Sequence, residues 1–224
     1  MGQWLNLAAA DGFRLQAYRA DPPQGTGTRG GLVVVQEIFG VNAHIRSICD
    51  SYAADGYAAI APALFDRYQR GIALDYSAED VARGREFKAR AKTDAALSDV
   101  AAARASVAST GHVGVIGYCW GGFIAWMAAA RLNGFNGAIC YYGGGIPEAT
   151  DERPQCPVMA HFGERDAAIP IEGVRKFEAA HREVQVFVYD AEHGFNCDQR
   201  KSYNPDATAL ARERTVGFLR ENIG

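Results

Sequence analysis

No C-x-x-C pair occurs anywhere in this chain, and its five cysteines (Cys49, Cys119, Cys140, Cys156 and Cys197) are odd in number and far apart. That pattern argues against a disulfide framework and against a structural zinc site, and it favours a reducing cytoplasm. The chain also lacks a basic excess. Its formal net charge is -3 and its Lys and Arg residues are scattered, so there is no electrostatic footprint for nucleic acid or an anionic membrane. No apolar run approaches the roughly 18 residues needed to span a bilayer. The start, Met1-Gly2-Gln3-Trp4, has no basic region followed by an apolar one, hence no secretory signal is read there. Repeats, low-complexity runs and linkers are missing too, and the 224 residues are expected to form one domain, 1–224. With 48% hydrophobic and 22% charged residues, the composition is that of an ordinary globular protein.

What is present is an alternation of short apolar runs with helical segments. Leu5 to Ala20 reads as a strand pair broken at Asp11-Gly12, a good turn dipeptide. Leu32 to Val35, Tyr57 to Ala61, Val113 to Tyr118, Gly137 to Tyr142, Val158 to Phe162 and Val184 to Tyr189 read as further strands. Leu32-Val33-Val34-Val35 is continuously apolar, which marks a strand covered on both faces. Helices are predicted over Asn42 to Ala54, as one or two segments over Ser77 to Ala108, and over Phe123 to Leu132, Ile171 to Ala180 and Asp206 to Leu219. The fold class is therefore α/β, a mostly parallel sheet with helices on both faces.

One junction dominates. Val113-Gly114-Val115-Ile116-Gly117-Tyr118-Cys119-Trp120-Gly121-Gly122 is an apolar strand that breaks at Gly-x-Cys-x-Gly and runs into a helix. Glycines relieve the crowding of so tight a turn and leave the apex residue strained and exposed. This is the nucleophile elbow of α/β-hydrolases, with cysteine at the apex. Read alone, Cys119 could equally be a small buried apolar residue. A nucleophilic thiol needs a base, and His193, in a loop after the last strand, is the candidate. His44, His112 and His181 have weaker claims, and His161 reads as a core histidine inside an apolar strand. Asp166 follows the Val158 to Phe162 strand and can fix the imidazole's tautomer, with Glu164 its nearest competitor. The order Cys119, Asp166, His193 is that of nucleophile, acid and base in α/β-hydrolases. The Trp120 and Ile38 backbone amides are placed for an oxyanion hole. In a parallel sheet, ligands bind beyond the carboxyl ends of the strands, and Glu37, Cys119, Tyr142, Asp166 and His193 all lie there.

Gln36-Glu37-Ile38-Phe39-Gly40-Val41-Asn42, Gly117-Tyr118-Cys119-Trp120-Gly121-Gly122, Tyr141-Tyr142-Gly143 and His193-Gly194-Phe195 together resemble the dienelactone hydrolase (carboxymethylenebutenolidase) family, over nearly the whole chain. The resemblance implies an α/β-hydrolase fold and a cysteine hydrolase that opens an enol-lactone through an acyl-enzyme. It further implies no metal or organic cofactor, and a place in the breakdown of aromatic compounds. It gives Glu37 a role in generating the thiolate when substrate binds. It matches Arg83 to a substrate-carboxylate arginine, with Arg85 close enough to take that place. One departure is that Cys197 stands about where such enzymes can carry a second carboxylate-binding arginine; Arg200 lies farther along the same loop. Trp120, Phe39 and Tyr142 suggest aromatic pocket walls. The expected partner is a small lactone or ester, with no nucleic acid or membrane, and the default oligomeric state is a monomer. The rival readings are a broader carboxylesterase or thioesterase on the same scaffold, and a non-catalytic redox sensor or binding module.

Overall fold

A computed structural model describes residues 2–224. Eight strands form one sheet: β1 (Gln3–Ala8), β2 (Arg14–Ala20), β3 (Gly30–Val35), β4 (Tyr57–Pro62), β5 (Val113–Tyr118), β6 (Gly137–Tyr141), β7 (Val158–Gly163) and β8 (Val184–Tyr189). Their spatial order is β1-β2-β4-β3-β5-β6-β7-β8. β1 and β2 are antiparallel, β2 runs antiparallel to β4, and β4 through β8 are parallel. Six α-helices connect them: α1 (Ala43–Ala54), α2 (Ala78–Arg90), α3 (Thr93–Val107), α4 (Trp120–Arg131), α5 (Ile171–Ala180) and α6 (Pro205–Asn222).

Successive strand residues point to opposite faces. Leu32, Val33, Val34 and Val35 of β3 are all fully buried, so both faces of the sheet centre are covered. The continuous apolar run had this meaning in the sequence, and the structure bears it out. Local chemistry sets the helix ends: Asn42 Oδ1 accepts from the Ile45 amide, Ser77 Oγ from Asp80, and Asn204 Oδ1 from Ala207. The polar stretch from Ser77 divides into α2 and α3, which break at Ala91-Lys92.

One boundary differs from the sequence reading. α4 starts at Trp120, directly after the turn, and not at Phe123. Gly121 and Gly122, which look like helix breakers, are helical here because their missing side chains admit neighbouring backbone. A Cβ on Gly121 would lie 2.4 Å from the Gln36 carbonyl oxygen, and one on Gly122 2.7 Å from that of Tyr141. Close packing against β3 and β6 outweighs the weak helix propensity of glycine.

Candidate active site

Because β3, β5, β6, β7 and β8 are parallel neighbours, their carboxyl ends share one rim. Cys119 sits at the end of β5 with φ 55° and ψ -121°, a left-handed conformation that is unusual for a residue with a Cβ. The strain is held from both sides. The Cys119 amide donates to the Tyr141 carbonyl (3.0 Å) and its carbonyl accepts from Gly122 (2.9 Å). A Cβ on Gly117 would come within 1.9 Å of the Gly121 carbonyl oxygen, so the turn closes only over glycine. Cys119 is the partly exposed apex, above the positive N-terminal end of α4.

His193 follows β8, and its Nδ1 is 2.7 Å from Asp166 Oδ2 in the loop after β7. The Asp166 side chain is fully buried, and its other oxygen accepts from the Ala168 amide at 2.8 Å. Burial works against a charged imidazole at His193. The neighbouring Cys119 sulfur and the hydrogen bond to Asp166 outweigh it, and push the ring up to about 10. At neutral pH His193 thus holds a proton between two acidic groups. His161 is the core histidine expected from its strand: it is fully buried, 2.8 Å from the Tyr189 hydroxyl and 3.1 Å from the Thr215 hydroxyl.

Among the described residues, neither the Trp120 nor the Ile38 amide donates to a protein acceptor. Both residues line a cleft of about 490 Å³ together with Phe39, Cys119 and His193. That volume is within the ordinary range for a small-molecule site. The Trp120 ring stacks on Phe65 (centroids 5.2 Å apart), and Phe65 stacks on Phe87 of α2 (5.1 Å). This aromatic column ties α2 to the turn that carries Cys119.

Two of the residues expected to bind substrate lie off the cleft wall. Arg83 is off the cleft; its guanidinium lies over Phe87 and donates to Gln69 Oε1. The cleft takes Arg85 and Lys88 instead. Residues two apart on a helix do not share a face, whereas Val81, Arg85 and Lys88 follow helical spacing along one stripe. Tyr142 is fully buried, and its φ of 37° accompanies a hydrogen bond that its backbone amide donates to the His161 carbonyl. Its ring supports His193 from behind (5.1 Å, edge-on) without lining the cleft.

Glu37 is fully buried at the end of β3, outside the cleft lining. Its Oε1 accepts from Arg200 Nη1 at 3.3 Å and its Oε2 from the Tyr76 hydroxyl at 3.4 Å. Arg200 also lies over the rings of Phe39 and Tyr76 and reaches the cleft wall. An arginine side chain thus reaches the cleft wall from Arg200, three positions beyond Cys197. Gly194 makes room for it, since a Cβ there would lie 2.3 Å from Arg200 Nη1. Lys88 and Tyr76 were not read from sequence as cleft or partner residues. For Lys88 the signal was available, three positions beyond Arg85 on one helix.

An eight-stranded, mostly parallel sheet with a strained cysteine turn and a bonded histidine–aspartate pair at its carboxyl rim defines an α/β-hydrolase. Known proteins narrow the class. The family model for the dienelactone hydrolase family matches residues 15–223, and the chain belongs to that family. A protein of Synechocystis that carries the provisional name carboxymethylenebutenolidase is 36% identical over 231 residues, covering 94% of this chain and 93% of that protein. One from Escherichia coli with the same provisional name is 32% identical and covers 96% of this chain and 85% of that protein. A Klebsiella pneumoniae crystal structure, provisionally described as a dienelactone hydrolase, superposes with a TM-score of 0.82 at 28% identity, covering 96% of this chain and 98% of that one. The chain is an ester or lactone hydrolase of this family. No helix among the described residues is long and apolar enough to cross a membrane.

Proposed function

We propose that this protein opens an enol-lactone of the dienelactone type through a thioester acyl-enzyme, in the breakdown of aromatic compounds, and that residues 1–224 work as one cytoplasmic domain. Cys119 Sγ attacks the lactone carbonyl while the Trp120 and Ile38 amides receive the developing oxyanion. The enolate is expelled but stays tethered to the acyl group, and it takes the proton held by His193. His193, kept in register by Asp166, then removes a proton from water as that water attacks the thioester. Sulfur leaves as thiolate, the proton returns to the pair, and the product carries one carboxylate more than the lactone.

The observation that carries this reading is the convergence of Cys119 and the Asp166-bonded His193 on one cleft with two amides that lack protein acceptors. Arg85, Lys88 and Arg200 on the cleft walls favour a substrate that already bears a carboxylate. A carboxylate on Arg200 competes for the guanidinium that holds Glu37, and so frees Glu37 to turn toward Cys119 and take its thiol proton, which it gives back to the sulfur once the thioester is cleaved. A second reading, a broader carboxylesterase for uncharged esters, is favoured by the same ion pair, because Glu37 already neutralises Arg200.

The test compares turnover of dienelactone with that of neutral aryl esters. Dienelactone is expected to be preferred, with kcat/KM falling at least about tenfold in Arg85→Ala, roughly the worth of one charged hydrogen bond. Cys119→Ala is expected to lose on the order of 10³-fold or more in kcat with its melting profile preserved. Mass spectrometry of quenched wild-type enzyme should find the acyl group on Cys119. Hydrolysis surviving in Cys119→Ala would refute the thioester route, and turnover of uncharged esters alone would favour the second reading.

A further inference from the structure

Behind the cleft, three buried side chains from separate parts of the chain point at one another: Glu37 at the end of β3, His44 in the first turn of α1, and Cys197 in the loop after β8. One ligand atom from each lies within 4.8 Å of the other two, the one such group of three among the described residues. Glu37 and Cys197 are fully buried and His44 is 4% exposed. Both His44 ring nitrogens are buried without a hydrogen-bond partner. Asp198 Oδ1 is the nearest acid to His44, and at 3.7 Å from Nδ1 it is too far for a hydrogen bond. An imidazole shut away with both nitrogens idle is uncommon and needs a reason.

We propose that Glu37, His44 and Cys197 form a binding site for a zinc-like divalent cation, whose occupancy takes Glu37 away from Arg200 and slows the hydrolase. One carboxylate, one imidazole and one thiolate make a mixed donor set suited to zinc or cobalt, with Asp198 or water completing a tetrahedron. Metal–ligand bonds of about 2.0–2.3 Å need the donors somewhat closer together than 4.8 Å, which side-chain rotation can supply. His44 and Asp198 also line a second cleft, of about 270 Å³, from which a cation can approach. Binding replaces the Cys197 S–H bond by an S–metal bond and releases that proton to solvent, with no change of oxidation state. Arg200, whose side chain is 21% exposed and only 3.3 Å from Glu37 Oε1, must turn into the catalytic cleft to avoid the cation. The slowing rests on the proposed role of Glu37; metal binding itself does not.

The experiment is a cobalt(II) titration of the full chain bearing Cys119→Ala, so that the thiol of the catalytic cleft cannot bind. One equivalent is expected to give tetrahedral visible bands and a thiolate-to-cobalt charge-transfer band, and zinc should displace it. Adding Cys197→Ser should abolish the charge-transfer band, and His44→Gln should weaken binding at least tenfold, with circular dichroism confirming that both variants fold. No binding in the Cys119→Ala protein, or a charge-transfer band that survives Cys197→Ser, overturns the site. In the wild type, zinc is expected to slow hydrolysis reversibly on chelation. His44→Gln should keep its metal-free rate and resist zinc; equal inhibition of both proteins overturns the link to Glu37. If no hydrolysis is found at all, the cobalt bands still decide the metal site on their own.

Discussion

His193 is where burial and charge oppose each other, and charge wins. Its proton is held until about pH 10, because the Cys119 sulfur and a buried carboxylate both face the ring. The folded-state value lies above the ordinary 6.5, so protonation of this ring contributes stability below pH 6.5 that is lost as pH rises through about 10. The same proton serves the departing enolate in the proposed reaction. The kcat/KM profile of the free enzyme should therefore fall on an alkaline limb with an apparent pKa near 10, a property of the coupled pair and not of one residue. Asp166→Asn removes the carboxylate charge while keeping a side chain that can still accept from the ring. It is expected to move the alkaline limb to lower pH and to cost on the order of 10³-fold in kcat. Titration of the two proteins across pH 6 to 11 checks this, and an unmoved limb would mean that Asp166 does not set the charge on His193.

At the scale of elements, α2 is what holds the loop carrying Ile38 in place. Gly84 lets the helix rest on the Ile38 carbonyl, where a Cβ would lie 2.5 Å from the oxygen. In an unhindered helix, Gly→Ala stabilises by about 0.5–1 kcal/mol, because glycine gives up more freedom on folding. Gly217 in α6 is such a case, with nothing within 4 Å of an added Cβ. The two alanine substitutions should therefore have opposite signs. Gly217→Ala is expected to raise the melting temperature without touching turnover. Gly84→Ala should lower it, and should reduce kcat more than it alters KM, because the Ile38 amide is displaced from the developing oxyanion. Thermal melts with steady-state kinetics on both variants are the check, and equal behaviour would remove Gly84 from the account. Periodicity alone does not reveal such a residue. A glycine inside a helical pattern looks like a weakness until the partner element is known.

For the molecule as a whole, what the sequence disclosed and what it hid have different physical origins. The parallel sheet was legible because buried strands must be apolar on both faces, as at Leu32 to Val35, and the rim followed from their common direction. Cys119, Asp166 and His193 were legible as strand-end residues in a known order. The Arg200–Glu37 pair, 163 positions apart, depends on how the loop after β8 folds back, which no local pattern encodes. Arg85 and not Arg83 lines the cleft, a matter of helix phase over two residues that the sequence left open. His161 links this global packing to a measurable quantity. Burial in β7 drives its pKa down to about 3, with the nearby Arg214 charge adding to the effect. The folded state keeps the ring neutral while the unfolded chain protonates it below about 6.5, so stability present above that pH is lost as pH falls toward 3. His193 adds nothing to this slope, being charged in both states below 6.5. Carboxylates titrate mainly below about 4.5, which leaves pH 6.5 to 5 as the clean window. There the unfolding free energy should fall by up to about 1.4 kcal/mol per pH unit from His161, with buried His44, also lowered by burial, adding to it. Denaturant titrations at several pH values should show a shallower slope in His161→Gln whatever that variant's absolute stability. An unchanged slope would mean that His161 is reached by water, or charged, inside the folded protein.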